Sequence, residues 1–379
     1  MELKITRGEF LKGLQRVQGI SEVKGTMPIL SYLLMETEEE GITISATDLE
    51  IGIRGSYKAE VIREGKITLN ARKIFDIVRE FPEGDILLKE EKDNLPADQR
   101  GSWITILCGK SRFRIASLPP EDFPSIPVYE EEGIIEFESS MLKEMIKKVF
   151  FSVSTDETRP TLNGVLLKAE GEDVYMISTD GYRLTYIKKG LGKPVKGDSL
   201  SVIISKKTLV ELLKLLEDSQ GPMIFSIQKN HAAFRINGLF MISRLIEGEF
   251  PNYENLIPMD NNKRLIINRD NLIYALRRVS LLADEKSRMV KFNINKNQLV
   301  LVSDSTEAGE AKEEIMAEYQ HDEISIGLNA RYVLDAVSAM DTDEVCFNLK
   351  GTDSSCLITS AQDEDYKCIV MPMRIESAL

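Results

Sequence analysis

The sequence predicts an α+β chain of three tandem units, each with two helices packed on one face of antiparallel sheets. Three observations lead there. One short amphipathic helix recurs, as LNARKIFDIV at 69–78, ISKKTLVELL at 204–213 and LNARYVLDAV at 328–337. Its offsets of 135 and 124 residues have the size of a domain and exceed any solenoid period. Other segments recur in step with it, and the stretches between helices alternate apolar and polar residues, as half-buried strands do.

Each unit opens on a helical pattern: EFLKGLQRVQGIS (9–21), SMLKEMIKKVFFSVS (140–154) and DNLIYALRRVSLLA (270–283). A strand comes after it, in PILSYLLMET (28–37), PTLNGVLLKA (160–169) and MVKFNIN (289–295). Next comes a strand and turn, in ISATDLEIGI (44–53), MISTDGYRLTYI (176–187) and LVSDSTEAGEA (301–311). The turn aspartates Asp48, Asp180 and Asp304 read as Asx turns in preference to catalytic groups. The recurring helix then places Arg72, Lys207 and Arg331 in one column and Asp76, Glu211 and Asp335 in another. Its apolar pairs Ile74 and Val78, Leu209 and Leu213, and Val333 and Val337 keep helical spacing.

Closing strands complete each unit. FRIASLPPEDFPSI (113–126) and FMISRLIEGEFPNYENL (240–256) share an FP turn, and the third unit ends in CIVMPMR (368–374). Prolines 119, 120, 124 and 127, and 251 and 258, mark the joins, so the units run 1–127, 128–256 and 257–379, each with roughly eight strands. The stretch KEEKDNLPADQRGS (89–102) reads as a solvated loop.

Composition narrows function. Hydrophobic residues make up 42%, enough for packed cores, and no run of 18 apolar residues offers a membrane span. MELKITRGEF carries no apolar signal region, which predicts a cytoplasmic chain. Four scattered cysteines fit free thiols in a reducing compartment. The two histidines, His231 and His321, lack any metal-site pattern, and no metal or cofactor is expected.

Enzymatic motifs fail on inspection. GKS at 109–111 has Ile104 where a phosphate loop needs glycine, and it precedes a strand pattern. GLGKPVKG at 190–197 lacks the third glycine of a dinucleotide loop. The reading is therefore non-enzymatic. A carboxylate site around Asp180 and Arg183, or a β-rich scaffold binding only protein partners, are the alternatives.

Charge is segregated. The net charge of −13 argues against nucleic acid taken whole. Yet the six predicted helices (8–19, 71–81, 139–151, 205–217, 268–282 and 329–340) hold 15 basic and 8 acidic residues, leaving −20 elsewhere. Arg72, Lys73, Lys147, Lys148, Lys206 and Lys207 are candidates for phosphate contact without base reading. For Arg72 an i,i+4 pair with Asp76 is the plain alternative.

The three-unit plan, LNARKIFDIV, STDGYRL, EGEFPNY and the terminal VMPMR together resemble the bacterial DNA polymerase III β subunit, the sliding-clamp family, over essentially the whole chain. The resemblance implies three repeats of the DNA clamp fold and a head-to-tail homodimeric ring with twelve helices around double-stranded DNA. Helices about 10 Å apart would leave a hole of roughly 28 Å, loose enough for sliding. It also implies a replicative DNA polymerase, other replication and repair proteins and a clamp loader ATPase as partners, with a nucleoid-associated location.

Site residues are implied by the same resemblance. Lys24, Arg72, Lys207 and the segment Asp156–Leu162, with Arg159, occupy DNA-contact positions. Pro160 and Thr161 stand where other clamps carry tyrosines. A partner-peptide pocket would use Leu162, Thr179, Gly181, Tyr182, Arg183, Leu184, Pro251 and Leu256, with Val370, Met371, Pro372, Met373 and Arg374. Methionines flanking a proline make an adaptable apolar lining, although Val370 equally suits an ordinary packed strand. Tyr182 and Asn255 replace the histidine and arginine of other clamps, and ESAL extends past their usual end. Phe113 and Ile115 would meet Leu281 and Leu282 of the partner copy at the ring interface.

Overall fold

The computed structural model describes residues 1–21, 27–91, 101–127, 135–195, 199–217, 221–305, 309–360, 363 and 365–375. Among them are six α-helices: α1 (Arg7–Gln18), α2 (Ala71–Glu80), α3 (Ser139–Phe150), α4 (Lys206–Glu217), α5 (Arg269–Val279) and α6 (Ala330–Ser338). They match the six sequence patterns to within a turn. The chain divides into two compact units, Met1–Met141 with Lys207–Leu245, and Leu142–Lys206 with Ile246–Leu379.

In the first unit, a five-stranded antiparallel sheet runs in the order Glu60–Arg63, Glu2–Thr6, Asp85–Glu91, Ser102–Cys108 and Ser111–Ser117. An eight-stranded sheet joins Ile135–Glu138, Pro222–Gln228, His231–Ile236 and Leu239–Arg244 to Ile51–Lys58, Gly41–Thr47, Tyr32–Glu38 and Lys66–Asn70. The seam pairs Leu239 with Gly55 and Met241 with Ile53.

The second unit repeats the scheme. Its eight-stranded sheet runs Leu200–Ser205, Gly164–Glu170, Asp173–Thr179, Arg183–Gly190, Tyr366–Val370, Cys356–Ser360, Glu344–Leu349 and Lys263–Asn268. Its four-stranded sheet runs Gly309–Met316, Gln298–Ser305, Met289–Asn295 and Ile324–Asn329. The seam here pairs Arg183 with Val370 and Leu184 with Ile369. Each eight-stranded sheet thus draws strands from two sequence repeats.

The recurrent LNAR motif has a local cause. Its asparagine caps the helix: Asn70 accepts from the Lys73 amide at 3.0 Å, and Asn329 accepts from the Arg331 amide at 3.0 Å. Asn268 does the same for α5 through the Asn271 amide. The helices then bury one stripe, Phe10, Leu14 and Val17 on α1, and Val333, Ala336 and Val337 on α6. Gly13 interrupts α1 because a Cβ there would lie 2.7 Å from the Ile44 side chain.

Two arginines close helix ends in parallel fashion. Arg7 donates to the Val78 and Arg79 carbonyls at the end of α2, and Arg269 donates to the Val337 and Ser338 carbonyls at the end of α6. A cation at a helix C-terminus satisfies orphan carbonyls and complements the dipole. Serines anchor two other ends: Ser178 donates to the Val149 carbonyl, and Ser303 to that of Val279. All four cysteines are free and buried, and burial pushes the Cys368 thiol up to about 12.

Candidate functional site

The expected pocket residues all lie in the second unit, on four segments, of which 251–256 carries Pro251 and Leu256. The first is the 3₁₀ turn Pro160–Leu162, with Leu162 buried. The second is the turn from Thr179 to Leu184. Asp180 accepts from the Tyr182 and Arg183 amides, each at 3.0 Å, which makes the expected Asx turn. Thr179 donates to the Arg183 carbonyl at 2.6 Å and accepts from the Gly181 amide. Gly181 sits at φ +92°, where a side chain would be strained and a Cβ would reach within 2.8 Å of the Arg159 guanidinium. The turn lifts Tyr182 into solvent at 61% exposure.

The third segment is the C-terminal strand Tyr366–Val370 with residues 371–374. Val370 is buried opposite Arg183, in a strand paired on both sides. Beyond it, the Met371 amide donates to the Tyr182 carbonyl at 2.9 Å, and the Met373 amide to that of Gly327 at 2.8 Å. Met371 stays 43% exposed, Pro372 and Met373 are half-buried, and Arg374 is exposed.

Below them Leu184 and Ile369 share a buried cluster with Leu166, Ile177 and Ile203. Phe250, Tyr253 and Ile257 pack against it, while Pro251 and Leu256 remain exposed. Sheet pairing thus fixes the apolar Leu184 and Ile369, while Tyr182, Leu256 and Met371 keep exposed side chains.

Arg183 ties the site together. Its side chain is 9% exposed and donates to Asp180 at 3.0 Å, to Asp335 of α6 at 2.6 Å and to the Phe151 carbonyl at 2.5 Å. The Tyr332 ring stacks 4.4 Å from its guanidinium. A planar fork with five donors suits three acceptors; an ammonium would not reach all of them.

The basic candidates divide sharply. Arg72, Lys73 and Lys147 are exposed and make no ion pair among the described residues. Asp76 pairs with Arg79 at 3.5 Å, so the expected alternative of an Arg72–Asp76 pair is corrected: the acid serves the next turn instead. Lys207 is held by Asp48 at 2.6 Å and Glu50 at 3.4 Å. Arg159 pairs with Asp156 at 3.1 Å.

Lys148 does not belong on an exposed basic face. It is 8% exposed and contacts Glu144 at 3.0 Å, Asp341 at 3.4 Å and Asp363 at 4.0 Å. Burial opposes its charge, but the Glu144 hydrogen bond and charge, with Asp341, outweigh that and raise its pKa. Lys206 is half-buried over the Phe150 ring at 5.3 Å. Lys24 lies outside the described residues.

Of the interface candidates, Phe113 and Ile115 lie on an edge strand and Leu281 and Leu282 on a 3₁₀ turn. Phe113 is 41% exposed on the edge strand Ser111–Ser117, with its ring 5.4 Å from Phe81, and Ile115 beside it is half-buried. Leu281 is 78% exposed on the 3₁₀ turn after α5, and Leu282 is half-buried. Sequence reasoning missed Met316, 84% exposed at the end of the edge strand Gly309–Met316. Burial alternates along this strand, but its sequence GEAKEEIM does not alternate apolar and polar residues, so no sequence signal marked it.

Asp304 is a correction. Ser303 repeats the contact of Ser178, so Asp304 matches Thr179 and not Asp180. It lies within the strand opposite Glu310, so the Asx-turn expectation does not apply to it.

Three consecutive family models match the chain: the N-terminal domain of the DNA polymerase III beta subunit over 1–127, the central domain over 136–252 and the C-terminal domain over 254–374. The beta sliding clamp of Pseudomonas aeruginosa is 32% identical over 381 residues, covering 99% of this chain and 100% of that one. That of Escherichia coli K12 is 31% identical over 376 residues, with the same coverage. Among solved structures, the Caulobacter crescentus clamp superposes with a TM-score of 0.90 at 31% identity, covering 99% and 100% of the two chains. A Pseudomonas aeruginosa clamp bound to griselimycin gives 0.91 at 31% identity, again with 99% and 100% coverage.

Proposed function

The chain belongs to the DNA polymerase III beta subunit family, and from that premise we propose that it works as a ring of two copies that encircles duplex DNA and tethers the polymerase. It is a non-catalytic processivity factor. Its three domains divide near residues 127 and 256. Two head-to-tail copies would carry twelve helices around the duplex. The observation that favours this most is a set of exposed basic helix residues, Arg72, Lys73 and Lys147, without ion pairs among the described residues, on a chain of net charge −13. Such charge attracts phosphates wherever they pass, and the acidic remainder repels them elsewhere.

The groove around Leu184, Tyr182 and Met371 is the docking site for peptide segments of the polymerase and of other replication and repair proteins. Its paired strands are fixed and its methionines adaptable, which suits several partners at one site. A closed ring cannot thread onto circular DNA unaided, so a clamp loader ATPase is a required partner. The place of work is the nucleoid.

The deciding experiment is topological. The protein is loaded onto a nicked circle with a bacterial clamp loader and ATP, and passed over a sizing column in high salt before and after one cut. Retention on circles with loss from linear DNA is expected. Loss from both, while a control clamp loaded by the same loader stays on circles, rejects the ring. Replacing Lys73 and Lys147 by alanine is expected to lower the salt slope of DNA binding by about one per lost phosphate contact. An unchanged slope would remove these two residues from the DNA face.

A further inference from the structure

A polar cleft of about 450 Å³ in the second unit shares Tyr182 and Arg183 with the docking groove. Four cations line it from four separate segments: Arg159, Arg183, Lys206 and Arg331. Two are neutralised in place, Arg159 by Asp156, and Arg183 by Asp180 and Asp335. Lys206 and Arg331 have no carboxylate within ion-pair distance among the described residues. Lys206 has only the Phe150 ring, and burial together with the charge of Arg183 lowers its pKa. The cleft therefore holds like charges together in a partly dry place, a cost that one anion would relieve.

We propose that this cleft receives a single carboxylate from a docked partner segment, held by Lys206 and Arg331. The inference rests on the docking reading of the adjacent groove and specifies its partner: an apolar peptide with an acidic residue beside it. The cleft's own acids favour this over nucleic acid. Asp156 and Asp180 line the same walls and occupy Arg159 and Arg183, so only two cations stay uncompensated, too few for a polyanionic backbone. One carboxylate needs only two donors, and Arg331 and Lys206 supply them as charge-assisted hydrogen bonds. Tyr182 and Tyr332 give the rim an apolar face toward the peptide.

Two synthetic probes test it on the full chain. Both have a Leu-Leu-Phe centre flanked by glycines; one carries glutamate at each end, the other glutamine. The glutamate peptide is expected to bind about tenfold more tightly by calorimetric titration. Lys206→Ala with Arg331→Ala should erase that preference and leave the glutamine peptide's affinity unchanged. Arg331 is exposed, so Arg331→Ala alone keeps the test open if the double variant folds poorly; it should reduce the preference by part. Equal binding of both probes to the unaltered protein overturns the inference while leaving the docking groove standing. Binding of neither overturns the docking reading and this one with it. A double variant that loses affinity for a 20-base single strand but keeps the glutamate preference assigns the cleft to phosphate and also overturns it.

Discussion

Arg183→Ala is expected to lower the unfolding free energy of the second unit by about 3–5 kcal/mol, the usual consequence of removing one partner from a buried ion pair. Truncation would strand three groups at once. Asp180 and Asp335 would lose their counter-charge, at 16% and 31% side-chain exposure, and the Phe151 carbonyl would lose its donor. The partial exposure of Asp335 lets water replace some of the loss, so the lower end of the range is the better figure. Tyr332 also loses the guanidinium stacked on it. Urea denaturation followed by tyrosine fluorescence measures the shift directly. Arg183→Lys should recover only part of it, because one ammonium cannot span Asp180, Asp335 and Phe151 together. A loss below about 1 kcal/mol, the scale of a surface pair, would mean that the network is not a structural hub.

The two kinds of fold information were unequally legible. Helices were readable because their period and caps are local: Asn70, Asn268 and Asn329 each sit three residues or fewer from the amides they satisfy. Strand neighbours were not. Alternation tells which face a residue occupies but not which strand lies beside it. Nothing local in Leu239–Arg244 announces that it pairs with Ile51–Lys58, some 190 residues earlier in the chain. The two eight-stranded sheets, each mixing two repeats, therefore had to be seen.

Side-chain roles divide in the same way. The Asx turns at Asp48 and Asp180 were foreseeable because they form within three residues. Asp304 misled because the third repeat slips by one position relative to the second. Counting charges on helices could not separate Lys147 from Lys148. Adjacent in sequence and about 100° apart around the helix, one is exposed and the other buried, and only the fold brings Asp341 and Asp363 to the second of them. The polar cleft was missed because Arg159, Lys206 and Arg331 meet through tertiary structure. The sequence showed parts of it separately, as Arg159, as the turn of Asp180 and Arg183, and as Arg331 in the helix column, with nothing to say that they meet.

Replacing both Leu281 and Leu282 by alanine is expected to convert the ring to monomers. Leu281 is 78% exposed in a single chain and Leu282 beside it is half-buried, which leaves apolar surface free for a second copy to cover. It comes after α5 in the same unit as the edge strand Gly309–Met316, whose exposed end is Met316. The other candidate edge, Ser111–Ser117, offers Phe113 and unpaired backbone groups along one side. An uncovered edge of this kind invites another strand, and closure against a second copy satisfies it. At about 1.5–3 kcal/mol per buried leucine, two leucines at each of two interfaces would contribute roughly 6–12 kcal/mol to the ring. Losing most of that is more than a dimer at micromolar concentration can absorb. Light scattering should report half the mass, and retention on nicked circles should vanish. The urea midpoint of the monomer should move far less than the dimer mass, because Leu281 is exposed and Leu282 only half-buried in its own chain. An unchanged dimer mass would place the interface elsewhere, whereas monomers that still bind the docking peptides would show that assembly and partner capture are separable properties of one chain.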